Sequence, residues 1–174
     1  MTDTILQLSD ITKSFPGVKA LKGVQFDMQP GEVHALLGEN GAGKSTLIKI
    51  ISGVYKPDGG SITLNGQPVQ FNNPREAQNQ GIATIYQELS LYPELTVAEN
   101  IFMGHAPKRQ VGHFQTIDWR TMVDRTYDLL ESLNIYDLDA ERKIGTLNVG
   151  NRQRVEIAKA LSLDAQILIM DEPT

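Results

Sequence analysis

Eight consecutive residues, Gly38-Glu39-Asn40-Gly41-Ala42-Gly43-Lys44-Ser45, put three glycines, an amine and a hydroxyl into one short stretch. The pattern is G-x-x-x-x-G-K-[ST], the loop with which nucleoside triphosphatases bind phosphate. Glycines at 38, 41 and 43 permit positive φ and let a ligand come close to the backbone. The N–H groups of the loop, those of Glu39, Asn40 and Ala42 among them, then form a concave anion site. Lys44 supplies a point charge for β- and γ-phosphates, and Ser45 offers a hydroxyl to Mg²⁺. Thr46 opens a helix whose N-terminal dipole favours negative charge.

The second cluster is Asp171-Glu172, directly behind Ile167-Leu168-Ile169-Met170. Four apolar residues predict a buried strand that delivers both carboxylates to its C-terminal edge, where a parallel sheet binds ligands. Asp171 is placed to hold Mg²⁺ through a water. Glu172 is placed to orient the attacking water or accept its proton.

Several elements must position these groups. Val33-His34-Ala35-Leu36-Leu37 predicts a buried strand entering the loop, and Leu47-Ile48-Lys49-Ile50-Ile51 predicts the helix leaving it, with Gly53 as C-cap. Alternation over residues 5–15 and 24–28, punctuated by Pro16-Gly17 and Pro30-Gly31, predicts a small antiparallel sheet beside the nucleotide. Pro57-Asp58-Gly59-Gly60 reads as a turn, and Ser61-Ile62-Thr63-Leu64-Asn65-Gly66 as a strand followed by an edge at Pro68. Asn73 and Pro74 open a short helix; residues 81–86 form a buried strand. After Gln87 the pattern turns helical: Thr96 caps one helix, residues 105–115 form a basic loop, and Asp118 caps a long helix. The apolar stripe of that helix is Trp119, Met122, Val123, Leu130 and Leu133. Phe15, taken by itself, is a core or half-buried aromatic.

With 174 residues, 40% hydrophobic and 21% charged, the chain has the material for one globular domain with a true core. A formal net charge of −5 argues against nucleic acid as the main partner, because no basic surplus exists to neutralise its phosphates. Nucleotide must therefore be held by local geometry and Mg²⁺. The absence of cysteine excludes disulfides and thiol chemistry. The first residues lack the basic start and apolar run of a signal peptide, and no apolar stretch would span a bilayer. The expectation is a cytoplasmic protein able to dock on a membrane protein.

In this order, the pieces resemble the ATP-binding domain of ABC transporters along essentially the whole chain. The resemblance makes Gln87, after a buried strand, the Q-loop glutamine that contacts Mg²⁺ beside Ser45 and Asp171. It makes Leu147-Asn148-Val149-Gly150-Asn151-Arg152-Gln153-Arg154-Val155 the signature stretch. It also puts Phe15 where the family stacks an aromatic on adenine. Against the common Leu-Ser-Gly-Gly-Gln, Asn148 replaces serine, Val149 the first glycine and Asn151 the glutamine, while Gly150 is kept. In the family this stretch faces ATP on the opposite domain, and Asn148 still offers a hydrogen-bond donor there. Residues 86–91, 95–104 and 155–161 resemble bacterial monosaccharide importers of the ribose, galactose, arabinose and xylose type, with their autoinducer-2 relatives. There the ATPase subunit fuses two such domains, and this sequence resembles the first part of the first.

The fold implied is α/β: a P-loop (ABC ATPase) core with a small antiparallel β subdomain, covering about 1–87 and 161–174, and a helical subdomain over about 88–160. The family's D-loop, further strands and switch histidine would follow Thr174. The function implied is hydrolysis of ATP with Mg²⁺, using Lys44, Gln87 and Glu172, to drive sugar import. The partners are a membrane permease, a second nucleotide-binding domain and, indirectly, a sugar-binding protein, with the chain peripheral on the inner face of the membrane. Two other readings stand beside it: a nucleotide-binding fragment without catalysis, and a soluble ABC ATPase of DNA repair or translation.

Overall fold

The computed structural model describes residues 4–39, 41–85 and 90–171, which divide into two units, Met1–Ile82 and Ala83–Thr174. In the first, strand β1 (Leu6–Phe15) turns Leu6 and Leu8 into the core. Strict alternation would next bury Asp10. Instead the register shifts, Asp10 takes φ 53°, and Ile11 returns to the buried face. A bulge thus repairs an alternation that the sequence breaks. Strand β2 (Val18–Met28) returns across Pro16-Gly17, where Gly17 at φ 80° suits the third position of a type II turn.

Strand β3 (Gly59–Leu64) pairs with the other side of β1, and β4 (Gln67–Val69) closes the sheet in the order β2-β1-β3-β4. Asn65 and Gly66, at φ 51° and 74°, join β3 to β4 with the two positive dihedrals of a type I′ turn. Pro68 sits on the edge strand, as expected. The turn expected at residues 57–60 is corrected: Gly59 and Gly60 already belong to β3. Gly60 is glycine because β1 bulges against it; a Cβ there would lie 2.5 Å from the Ser9 carbonyl oxygen.

Helix α1 (Lys44–Ile51) buries Leu47, Ile48, Ile50 and Ile51. It ends in a Schellman motif: the Val54 N–H donates to the Lys49 carbonyl at 2.8 Å and the Gly53 N–H to that of Ile50 at 3.1 Å. Gly53 is therefore the left-handed residue just after the cap, Ser52. Helix α2 (Pro74–Asn79) starts where expected, with the Asn73 side chain accepting the Glu76 N–H at 3.0 Å.

The strand expected at residues 33–37 is not formed. The segment is irregular, with Val33 99% and Leu37 90% exposed. An apolar run becomes a strand only when a neighbour takes its backbone groups. Among the described residues no strand pairs with it; the sheet of this unit has β2 and β4 at its edges.

In the second unit β5 (Ile82–Ile85) pairs with β8 (Ile167–Met170). Only Ile167 of β8 is fully buried and Met170 is exposed, so β8 is not the doubly covered strand expected. Two strands do not make a sheet broad enough to be covered on both faces. The helices carry the core. Helix α3 (Val97–Ile101), opened by a Thr96/Glu99 capping box, packs against both α4 (Trp119–Ser132) and α5 (Val149–Leu161). Val97, Ile101, Met122, Leu130, Ile144 and Val155 meet there. Asp118 caps α4 as expected, but Trp119 is 54% exposed rather than part of the buried stripe. Thr126 joins Met122 and Leu130 in it, and its hydroxyl is satisfied by the Met122 carbonyl at 2.8 Å.

The loop expected over residues 105–115 contains a hairpin, β6 (Lys108–Val111) and β7 (Phe114–Ile117), turning at Gly112-His113 with Val111 opposite Phe114. Both strands are exposed throughout, so they lack the half-buried alternation by which strands are read. No helix among the described residues is long and apolar enough to cross a membrane.

Candidate functional site

The glycine loop is built by its neighbours. Gly43 sits at φ 91°, and a Cβ there would fall 2.7 Å from Leu21 Cδ2 and 2.8 Å from the Ala20 carbonyl oxygen. Only glycine lets α1 start this close to β2. Gly41 is at φ 86° with open space around it. Gly38 corrects the expectation, because its φ is not positive; a Cβ there would touch Ala42 Cβ at 3.2 Å. Asn40 lies outside the described residues.

Lys44 Nζ donates to the carbonyls of Gly38 at 2.6 Å and Glu39 at 3.0 Å, while the Ala42 N–H donates to the Glu39 carbonyl at 3.1 Å. The ammonium is thus held at the mouth of its own loop, with a third proton left to give. Helices α2, α3, α4 and α5 all begin with a side-chain cap, from Asn73, Thr96, Asp118 and Asn148. Helix α1 has Gly43 at its N-cap, with no side-chain cap and no acid in its first turn. Among the described residues no side-chain oxygen caps its leading N–H groups, and an anion is a natural partner for them. Ser45 is exposed at the second helical position, and Thr46 is half-buried behind it.

Phe15 is half-buried at the tip of the β1–β2 hairpin, in the same unit. Its ring meets that of Tyr55 edge-on, with centroids 5.3 Å apart and planes at 65°. Lys13 Nζ stands 5.8 Å over the Phe15 ring and is held by Asp58 Oδ1 at 2.8 Å. Asp58 Oδ2 accepts the Ser14 N–H at 2.7 Å. The hydrogen bond from Lys13, then that from Ser14, holds the Asp58 carboxyl below the usual carboxylate range.

In the second unit the Asp171 N–H donates to the Ile85 carbonyl at 3.0 Å, so the C-terminal ends of β5 and β8 meet. Gln87 and Glu172, each a short step beyond those ends, lie outside the described residues. At the start of α5, Asn148 Oδ1 accepts the Asn151 N–H at 2.8 Å. The cap uses the carbonyl half of the amide and leaves the NH₂ half as donor. Val149 is exposed, and a Cβ on Gly150 would meet only Asn148 Oδ1 at 3.7 Å, an ordinary contact. The chain's own packing therefore does not require glycine at 150. Asn151 accepts from Arg154, whose guanidinium forks onto Asp137 at 2.7 and 2.6 Å.

Sequence reading missed three residues. Glu156, only 8% exposed, accepts the Ser90 N–H at 2.5 Å, and Lys159 Nζ donates to the Ser90 carbonyl at 2.9 Å. One turn of α5 thus grips both backbone groups of the residue three places after Gln87. The signal was a charged pair at i, i+3 beside the buried Val155 and Ala158. His105 was also unassigned. It is half-buried, with Nε2 3.0 Å from Ser162 Oγ, and burial pulls its imidazole below the ordinary value.

The profile of a family described as ABC transporter matches residues 21–174. The chain belongs to the ABC transporter family. The ribose import ATP-binding protein RbsA 1 of Rubrobacter xylanophilus is 55% identical over 98% of this chain and 33% of its own length. A putative ribose/galactose/methyl galactoside import ATP-binding protein 1 of Burkholderia cenocepacia is 55% identical over 100% of the chain and 32% of its own. The chain thus spans about a third of the length of these curated relatives, whose names agree with the importer resemblance. Among solved structures, a nucleotide-free ATP-binding cassette from an ABC transporter matches with TM-score 0.81 and 31% identity, over 98% of this chain and 70% of that one. A cassette in its ADP conformation matches with TM-score 0.82 and 32% identity, over 98% and 69%. The expected fold class, a P-loop ATPase with an antiparallel sheet and helices, is the class of these cassettes.

Proposed function

We propose that this chain is the nucleotide-binding part of an ATPase that energises sugar import through a separate membrane permease. The observation that carries the reading is α1, which begins without a side-chain cap behind Gly43, a glycine that Leu21 and Ala20 make obligatory, with Lys44 drawn into the loop. The loop amides of residues 38–46 and Lys44 neutralise charge on the β- and γ-phosphates. Phe15 presents a flat apolar ring to the base. The exposed Ser45 hydroxyl and the Asp171 carboxylate are hard oxygen donors that suit Mg²⁺, with Gln87 as the third group toward it. Once bound, Mg²⁺ supplies charge neutralisation at the phosphate oxygens. Glu172 orients the attacking water.

Residues 148–151 face the nucleotide of a second nucleotide-binding domain, and the helical region after Gln87 docks on the permease. A sugar-binding protein acts at one remove, and the chain is peripheral on the inner face of the membrane. The import names of the relatives favour this reading over a soluble ATPase of repair or translation. The exposed 33–37 segment favours, as the second reading, a nucleotide-binding chain that does not turn over by itself.

The test separates binding from chemistry. Lys44→Ala is expected to lose Mg-ATP affinity, whereas Glu172→Gln is expected to bind normally and lose turnover. Normal turnover in Glu172→Gln removes Glu172 from the mechanism. Binding that depends on Lys44, without hydrolysis in the unmodified chain, establishes the second reading. Crosslinks from residues 90–100 to a co-expressed permease test the docking. Their absence, with control positions working, removes it.

A further inference from the structure

We infer that Tyr55 is a positioning residue for base recognition: it fixes the Phe15 ring at the hairpin tip and ties it to the helix that carries the phosphate loop. The inference rests on the reading of this unit as a nucleotide site and of Phe15 as its base platform. A phenyl ring next to a two-residue turn has little around it to choose one rotamer, and a base stacks well only on a ring already held in place. Here the ring is held twice. Tyr55 meets it edge-on at 5.3 Å, and Lys13 stands over it at 5.8 Å, itself fixed by Asp58.

Tyr55 is in turn set by α1. Its N–H donates to the Lys49 carbonyl at 2.9 Å, continuing the helix's own C-terminal motif, and Lys49 Nζ lies 5.6 Å over its ring. One helix therefore carries Lys44 and Ser45 at its start and, just past its end, the aromatic that sets Phe15. All of this lies within the unit Met1–Ile82. The distance from phosphate groups to base platform is then a property of a rigid element rather than of a loose hairpin.

The experiment compares Mg-ATP with Mg-tripolyphosphate, which has no base, by calorimetry on the full chain and its variants. Phe15→Ala is the control for the underlying reading: it should lower affinity for Mg-ATP and leave Mg-tripolyphosphate unchanged. Tyr55→Ala should do the same, by about threefold to tenfold, the range of an edge-to-face aromatic pair. Tyr55→Phe keeps the ring and should restore Mg-ATP affinity. Equal loss of both ligands in Tyr55→Ala assigns Tyr55 a structural role and overturns the inference. So does an unchanged ratio, or a Tyr55→Phe as weak as Tyr55→Ala. Unchanged Mg-ATP affinity in Phe15→Ala overturns the platform reading instead, and the inference with it.

Discussion

At the scale of single residues, the three loop glycines do different work, although one pattern names them all. Gly43 combines φ 91° with two sub-3 Å obstacles, Gly41 has φ 86° but open space, and Gly38 has only a 3.2 Å neighbour. A non-glycine residue in a sparsely populated backbone region costs about 1–3 kcal/mol. Alanine should therefore destabilise in the order Gly43, Gly41, Gly38, with Gly43→Ala the largest because Leu21 and Ala20 must also move. Urea unfolding of the three variants checks the order; a Gly38→Ala as damaging as Gly43→Ala contradicts it. His105 yields a second expectation. Burial, the dominant cause, lowers its pKa against the opposing Met103 carbonyl and Asp164, with Lys159 adding to the lowering. The unfolded chain thus takes up the proton first as pH falls through the ordinary imidazole value, about 6.5. Stability is full above that value and declines below it, down to the lowered folded value. The thermal midpoint should drop between about pH 7.5 and about pH 5.5 by more than it does in His105→Gln. Equal drops would show that His105 titrates the same in both states.

At the scale of elements, α5 does more than present residues 148–151. The buried Glu156 carboxylate takes the Ser90 N–H, and removing it orphans a partly buried donor, at a cost of about 1–3 kcal/mol. Glu156→Ala should therefore lower stability and speed amide exchange at Ser90. Glu156→Gln, which keeps an acceptor, should retain most of both. Unchanged exchange in Glu156→Ala would mean that Ser90 is held by other groups. Such a grip was invisible in the sequence because it joins residues 66 positions apart. What was legible is local chemistry. Caps at Asn73, Thr96 and Asp118, the punctuation at Pro16-Gly17, the edge at Pro68 and the core helix face all follow from short-range rules. What was not legible depends on neighbours. Gly59-Gly60 has turn composition but lies in a strand because β1 bulges over it. The β6–β7 hairpin buries nothing and so shows no period. Trp119 has the spacing of the buried stripe but sits where nothing covers it. Of the site, the phosphate loop is readable as a motif and the left-handed Gly41 and Gly43 follow from it, whereas the Tyr55 contact with Phe15 does not, since nothing local predicts it.

At the scale of the whole molecule, the informative disagreement is residues 33–37. Their apolar run predicts a doubly covered strand, yet Val33 and Leu37 are almost fully exposed and the segment has no regular structure. The two accounts make opposite predictions. Truncating a buried strand leucine or valine leaves a cavity; a Leu→Ala change of that kind costs about 2–5 kcal/mol. A substitution on an exposed irregular segment stays within about 0.5 kcal/mol. With the chain as it stands, Val33→Ser and Leu37→Ser should barely shift the urea midpoint. The exposed run also has consequences between molecules. Unpaired backbone with apolar side chains is a template for another chain to add to. The net charge of −5 opposes such association only weakly once salt screens it. The unmodified chain should therefore associate as concentration and ionic strength rise, and Val33→Lys with Leu37→Lys should reduce association without loss of fold. Light scattering across a concentration series, beside circular dichroism, reads both outcomes. A chain that stays monomeric, with a midpoint that falls by several kcal/mol equivalents in Leu37→Ser, would show that the run is buried in solution as the sequence pattern implies.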